Sequence, residues 1–172
     1  VIGPNGAGKS TLIDCLSGLT PIDSGEVLID GQTGGPRMLE RLVALGISRT
    51  FQNIRLFASL SVLEHVLLAR RAFERSPRAA AASHRGATLA HCQRLLERVS
   101  LGPKASLRTD ELSYGERRRL EIARALAVEP RLLLLDEPAA GSTAVEQLAL
   151  AELIQSITAQ GAAVILVEHH MD

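Results

Sequence analysis

The amino-acid sequence predicts an α/β fold, with a mostly parallel sheet flanked by helices. Two apolar runs, at residues 132–135 and 162–167, have the length and composition of buried strands. Segments in which apolar residues recur at helical spacing alternate with such runs, as is typical of parallel sheets covered on both faces. The length of 172 residues fits one domain with a single sizeable core.

The first predicted elements surround a glycine-rich turn. Residues 1–2 have the character of a strand end, and a helix begins at Lys9, directly after the glycines. Residues 26–30 then predict a strand, residues 39–45 a helix and residues 46–51 another strand.

The middle of the chain is predicted to be helical throughout. Ser61 and Glu64 form a capping-box pattern, in which the two side chains satisfy free amides of a helix's first turn. Pro77 interrupts the pattern of the next stretch, and residues 89–99 then carry apolar residues at helical spacing.

The last part of the chain returns to alternation of strands and helices. A second capping-box pattern, Ser113 with Glu116, predicts the start of a helix. The strand at 132–135, a helix at about 145–160 and a strand at 164–167 follow.

These elements predict a single domain. We expect residues 1–60 and 102–172 to form its α/β core and residues 61–101 a helical subdomain. The chain begins without Met, immediately before the glycine turn, and ends immediately after a strand. We therefore expect residues 1–172 to be a domain that is truncated at both ends.

Composition disfavours several classes of protein. The formal net charge is zero, which gives no support for a broad nucleic-acid surface. With no Trp, one Tyr and three Phe, the chain has few side chains on which bases could stack. No apolar run approaches the roughly 20 residues of a membrane-spanning helix. If the protein acts at a membrane, we expect another subunit to supply the spans.

The glycine turn matches the phosphate-binding pattern G-x-x-x-x-G-K-[ST] without a mismatch. Glycines let backbone amides approach phosphate oxygens closely, and the following helix points its positive end at the same anion. Lys9 can reach the β- and γ-phosphates, and the Ser10 hydroxyl can coordinate Mg²⁺. The predicted nucleotide-binding residues are Gly3, Pro4, Asn5, Gly6, Ala7, Gly8, Lys9, Ser10 and Thr11.

Two carboxylates, Asp136 and Glu137, follow the leucine strand directly. Ligands of open α/β sheets gather at the carboxyl ends of the strands. A lone carboxylate there could simply cap a helix, but two adjacent acids suit a division of labour. We expect Asp136 to hold Mg²⁺ and Glu137 to act as the general base for a water molecule.

Three further sequence motifs, two between these sites and one after them, resemble motifs of the ABC ATPases. The run Leu-Ser-Tyr-Gly-Glu at 112–116 is similar to the signature motif of that family of P-loop ATPases. Gln52, after Thr50 and Phe51, resembles the family's Q-loop glutamine. His169, just after the strand at 164–167, resembles its switch histidine.

This resemblance implies a head-to-tail dimer with two ATP molecules between its subunits. Each ATP would lie on one subunit's phosphate loop and meet the signature helix of the other. Ser113 is also a candidate helix cap, a role compatible with contacting phosphate. The implied cofactors are ATP and Mg²⁺. The resemblance implies catalytic roles for Glu137, His169 and Gln52, nucleotide contacts for Ser113 and Gly115, and Mg²⁺ ligation by Ser10, Gln52 and Asp136.

Within the family, residues 49–57, 120–124 and 136–141 resemble the ATPase subunit of branched-chain amino acid importers. Importers of urea and other amides look similar, so the transported solute stays open between them. The implied partners are a second ABC ATPase subunit, identical or not, permease subunits and a substrate-binding protein, with no nucleic acid. The implied location is the cytoplasmic face of the inner membrane, as a peripheral protein.

Two other function classes stay open at this point. A soluble ABC ATPase acting on DNA or the ribosome is disfavoured by the short helical insert. A non-hydrolysing module is disfavoured by Glu137, Gln52 and His169, although Ser-Thr-Ala at 142–144 departs from the family's usual run there. The three arginines at 117–119 are interpreted as a solvated helix face and not as a nucleic-acid site.

Overall fold

The computed structural model describes residues 1–4, 6–29, 31–33, 38–81 and 88–168. Its helices are α1 (Lys9–Leu16), α2 (Met38–Leu45), α3 (Val62–Glu74), α4 (Pro77–Ala81), α5 (Thr88–Arg98), α6 (Tyr114–Leu126) and α7 (Ala144–Ala159). Its strands are β1 (Leu28–Ile29), β2 (Gln32–Thr33), β3 (Ile47–Arg49), β4 (Leu132–Asp136) and β5 (Ala163–Val167). The predicted α/β fold, with a parallel sheet flanked by helices, is confirmed.

The central sheet has the strand order β3–β4–β5, with both pairs parallel. Beyond β5, Ile2 forms a parallel bridge with Glu168, so the start of the chain lies along this sheet's far edge. All of these segments run in the same direction. The loops that leave their carboxyl ends, including the glycine turn, therefore emerge at one edge of the sheet. Strands β1 and β2 form a separate antiparallel pair.

Alternate side chains of β4 enter two different parts of the core. Leu133 and Leu135 belong to a large cluster that includes apolar residues of α3, α5, α6 and α7. Leu134 points to the opposite face, where it packs with Ile13 of α1 and Ile47 of β3. This alternation follows from the two-residue period of a strand, and it explains why every position of the leucine run must be apolar.

The helix starts agree with the sequence except at two places. The predicted capping boxes at Ser61 and Ser113 are both formed. Thr143 forms a third with Glu146, so one residue of the unusual 142–144 run is a helix cap that was not predicted. Pro77 interrupts the helical pattern as predicted, but it also begins α4, because proline's missing N–H needs no partner in a first turn.

We predict that Leu134→Ala lowers the free energy of unfolding by about 2–5 kcal/mol, because it leaves a cavity between the sheet and α1. Leu134 is fully buried, whereas Leu148 on α7 is 68% exposed, so Leu148→Ala is the matched control and should change stability little. Urea unfolding of both variants measures the difference. Equal stability of the two variants would contradict the core described above.

Candidate nucleotide-binding site

The glycine turn holds the Lys9 ammonium close to its own backbone. Lys9, the first residue of α1, is buried, and its Nζ donates hydrogen bonds to the carbonyl oxygens of Gly3 at 2.7 Å and Pro4 at 2.9 Å. Gly8 precedes the helix with a φ of 84°, and Gly6 has a φ of 81°, a conformation that side chains disfavour. The turn therefore wraps around the Lys9 side chain, and it leads directly into the N-terminus of α1. Asn5 lies outside the described residues.

The acidic pair meets the glycine turn at the end of β4. Asp136 is the last residue of the strand and is 2% exposed. The Ser10 hydroxyl donates to Asp136 Oδ1 at 3.2 Å, which joins the first turn of α1 to β4 across 126 positions of sequence. The sequence could only suggest this meeting, since nothing in the chain's order fixes the distance between the two residues.

Glu137 adopts a backbone conformation that is rare for its type. Its φ is +48°, in the left-handed region, and its amide donates to the carbonyl of Val167 at 2.9 Å. Glu137 is nonetheless 6% exposed, with Oε2 accepting a hydrogen bond from Gln52 Nε2 at 3.3 Å. A non-glycine residue held in this region is a feature that clusters at functional sites. Two of the three predicted catalytic residues, Gln52 and Glu137, are thus in direct contact.

Burial raises the pKa of the Asp136 carboxyl above its ordinary value. The hydrogen bond from Ser10 opposes this rise, and the adjacent charge of Glu137 adds to it. Burial and the neighbouring negative charge both disfavour the ionised form of Asp136. A bound cation would stabilise that ionised form.

A cleft of about 360 Å³ brings the predicted groups together. The described residues that line it are Gly6, Gly8, Lys9, Ser10, Thr11, Gln52 and Glu137. Its chemistry combines one ammonium group, hydroxyl oxygens, a carboxylate and the N-terminus of α1. This arrangement can hold a phosphate chain against the helix and place a carboxylate near its end. Hydroxyl, carboxylate and amide oxygens are also the donors that Mg²⁺ prefers.

The signature residues lie at the start of another helix, away from this cleft. Ser113 caps α6: its hydroxyl accepts from the Glu116 amide at 3.3 Å, and its own amide donates to Glu116 Oε2 at 3.0 Å. A Cβ on Gly115 would collide with the Glu146 carboxylate of α7, so a side chain cannot be added there without displacing Glu146. Neither Ser113 nor Gly115 is among the described residues that line the phosphate cleft. His169 lies outside the described part of the chain.

The interpretation of the three arginines at 117–119 as a solvated face is wrong for Arg118. Arg118 is 3% exposed, and its guanidinium donates to the backbone of the segment that carries Gln52. The sequence did hold a signal for this, because Glu121 stands one helical turn after Arg118 and can pair with it.

Comparison with known proteins agrees with this geometry. Residues 1–140 match the family model described as ABC transporter, and the chain belongs to that family. Members of the family are ATPases that couple ATP hydrolysis to transport, and the chain is therefore an ABC ATPase.

Several curated relatives of this chain are ATP-binding proteins of amino acid transport systems. The chain is 36% identical to the high-affinity branched-chain amino acid transport ATP-binding protein BraF of Pseudomonas aeruginosa, over 99% of this chain and 70% of the relative. LivG of Escherichia coli, which carries the same description, gives the same values. The glutamine transport ATP-binding protein GlnQ of Escherichia coli is 32% identical over 99% of this chain and 69% of the relative.

Solved structures show the same fold. The ADP conformation of MJ1267, an ATP-binding cassette of an ABC transporter, superposes with a TM-score of 0.83 and is 29% identical, over 99% of this chain and 69% of that one. Among the described residues, none of the helices combines the length and the apolar character needed to cross a membrane.

We predict that Lys9→Ala weakens ATP binding about 10- to 100-fold, because the substitution removes the Lys9 ammonium group from the lining of the cleft. Equilibrium binding of a fluorescent ATP analogue measures the change. Arg94→Ala, which removes an exposed charge from α5, is the control and should bind like the parent. Parent-like binding by Lys9→Ala would contradict the assignment of this cleft.

Proposed function

We propose that this chain is the ATP-hydrolysing subunit of an ABC importer whose solutes are branched-chain amino acids. The observation that carries the catalytic part is the convergence of Lys9, Ser10, Gln52, Asp136 and Glu137 at one edge of the sheet. These five residues come from three separate parts of the sequence, and each supplies a group that phosphoryl transfer to water requires.

In the proposed reaction Glu137 accepts a proton from water as the water oxygen attacks the γ-phosphorus of ATP. A bond forms between that oxygen and phosphorus, the bond to the bridging oxygen breaks, and ADP and inorganic phosphate are the products. The Gln52 amide, already 3.3 Å from Glu137 Oε2, orients this carboxylate. Lys9 leaves its backbone carbonyls to neutralise the β- and γ-phosphates. Mg²⁺, when bound by Ser10, Gln52 and Asp136, supplies further positive charge to the phosphates.

The other half of each site is proposed to come from a second ABC ATPase subunit. Ser113 and Gly115 mark the positive end of α6 but lie outside this chain's own phosphate cleft, as a head-to-tail arrangement requires. Binding of ATP between the phosphate loop of one subunit and α6 of the other closes the dimer. The Glu146 carboxylate lies beside Gly115, so its negative charge opposes the approach of phosphate to this end of α6. We assign His169 to the γ-phosphate end of the same site by resemblance alone.

The permease is proposed to dock beside Gln52. A groove of about 410 Å³ lies between residues 52–58 and residues 109–117, with apolar side chains such as Ile54 and Leu56 along it. This groove adjoins both Gln52 and α6, so a helix seated there could sense ATP binding. The division into an α/β core (1–60 and 102–172) and a helical subdomain (61–101) belongs to the same proposal.

The transported solute is inferred from similarity. Residues 49–57, 120–124 and 136–141 resemble branched-chain importers, and BraF and LivG carry that description. GlnQ, at 32% identity, shows that a related subunit serves a different amino acid. A substrate-binding protein would deliver the solute, and the chain would lie peripherally at the cytoplasmic face of the inner membrane.

We predict that Glu137→Gln retains ATP binding, lowers turnover about 10²- to 10⁴-fold and accumulates an ATP-bound dimer, because the amide cannot accept the proton of water. Phosphate release and size-exclusion chromatography with ATP measure the two effects. Glu152→Gln, an exposed change on α7, is the control. Turnover by Glu137→Gln at the parent rate would show that another group is the base.

We predict that the protein, assembled with its permease and binding protein in vesicles, takes up radiolabelled leucine when ATP is supplied. Uptake should depend on ATP hydrolysis and disappear in Glu137→Gln, because the solute path opens only with the ATPase cycle. Labelled urea and glutamine are the comparison solutes. Selective uptake of either in place of leucine would overturn the assignment of the solute while leaving the ATPase assignment intact.

A further inference from the structure

We propose that Arg118, Glu121 and Arg124 are positioning residues that fasten the Gln52 segment (residues 51–55) to α6. We call these three side chains the ionic strap. None of the three is among the described residues that line the phosphate cleft, and they act through the segment that they hold. The inference rests on the proposed role of Gln52 and adds residues to it that the phosphate-binding motifs do not contain.

Arg118 donates hydrogen bonds to two successive backbone carbonyls. Its Nη1 donates to Phe51 O at 2.7 Å and its Nη2 to Gln52 O at 2.9 Å. The same guanidinium donates to the Tyr114 hydroxyl at 3.1 Å, on the first turn of α6. A planar fork that bonds two carbonyls at once fixes the orientation of the chain as well as its position. The residue whose carbonyl it holds, Gln52, is the one whose amide contacts Glu137.

Glu121 lies between the two arginines and also holds the segment. Its side chain is fully buried, with Oε2 3.0 Å from Arg118 Nη1 and Oε1 3.6 Å from Arg124 Nη2. The amide of Arg55 donates to Glu121 Oε1 at 3.4 Å. Arg124 completes the arrangement by donating from Nη1 to the carbonyl of Arg55 at 2.6 Å. Both ends of the segment are therefore bonded to one face of α6.

A group of three charges of which two are buried is not by itself a source of stability, because the free energy lost on removing charges from water roughly equals that gained from their attraction. The feature of the ionic strap that matters here is that its arginines also donate hydrogen bonds to backbone carbonyls of the Gln52 segment. Residues 51–55 belong to neither a helix nor a strand, so regular structure supplies no partners for their carbonyls. The strap supplies partners from α6 for the carbonyls of Phe51, Gln52 and Arg55, and these bonds couple the position of the segment to that of the helix.

The consequence is a link between two sites within one chain. Helix α6 begins at Ser113, where the second subunit's ATP is proposed to bind, and its strap holds Gln52 beside Glu137. A rotation of α6 that follows ATP binding at its N-terminus therefore displaces Gln52 relative to this chain's own acidic pair.

The test compares hydrogen exchange in Arg118→Gln with that in Arg119→Gln, using the protein without nucleotide. Arg119 is the matched control, since it follows Arg118 on α6 but donates to Val99 O and does not reach the segment. Exchange of the amides at 51–55 should become about 10-fold faster in Arg118→Gln, while the amides of β4 stay as in the parent. Arg118→Lys should fall between the two, because one ammonium cannot bond both carbonyls in the guanidinium's geometry.

A second measurement reads the position of Gln52 itself. The Mg²⁺ concentration that half-saturates ATP binding should rise about 10-fold in Arg118→Gln and stay unchanged in Arg119→Gln. Unchanged exchange at 51–55, or exchange that rises equally in β4, would overturn the proposal. A parent-like Mg²⁺ requirement in Arg118→Gln would overturn it as well, provided that Gln52→Ala raises that requirement.

The variants Arg124→Gln and Gln52→Ala allow the proposal to be tested even if Arg118→Gln does not fold or Gln52 has another role. If Arg118→Gln does not fold, Arg124→Gln replaces it, because Arg124 is partly exposed and removing it leaves the Arg118–Glu121 pair in place. Faster exchange confined to the amides around Arg55 supports the strap, and unchanged exchange there refutes it. If Gln52→Ala binds ATP with the parent's Mg²⁺ requirement, the proposed role of Gln52 fails, while hydrogen exchange still decides whether the strap holds the segment.

Discussion

The rest of the structure depends on the burial of β4 on both of its faces. A strand with apolar layers above and below cannot shift by one residue without sending Leu134 into the wrong half of the core. Its last residue, Asp136, is therefore fixed along the strand axis, and the Ser10 hydroxyl meets it from α1, which packs on the same face as Leu134. The packing of β4 therefore also determines the geometry of the site, because it sets the position of the Asp136 carboxylate.

The site adds three pieces of irregular backbone to this rigid edge. The glycine turn is shaped by positive φ angles, Glu137 by a left-handed conformation tied to β5, and the Gln52 segment by side chains of α6. Each piece has a different source of order. The first comes from residue type, the second from a neighbouring strand and the third from a helix elsewhere in the sequence. Irregular segments fixed from outside in this way can be displaced by movements of the elements that hold them.

Much of the fold and part of the site could be predicted from the sequence. Capping boxes and strand periodicity act over a few residues, so α3, α6, β4 and β5 were located to within a few positions. The phosphate turn was recognisable because its residues are contiguous. Arg118 was misread because helical spacing says which residues share a face but not whether a loop covers that face. The cap at Thr143 was predictable from the sequence, because Thr143 stands three positions before Glu146 and the pair forms a capping box like those at Ser61 and Ser113.

The left-handed backbone conformation of Glu137 has a consequence for the evolution of such a sequence. A φ of +48° suits glycine or asparagine better than glutamate, so the folded state retains an unfavourable residue at this position. In a duplicated copy released from selection for hydrolysis, replacement here by glycine or asparagine would relieve backbone strain. If Glu137 is the base, as proposed above, such a replacement removes hydrolysis and relieves strain together, and it leaves a well-folded nucleotide binder. Under the proposed role of Glu137 as general base, the glutamate serves the reaction against the conformational preference of its own backbone.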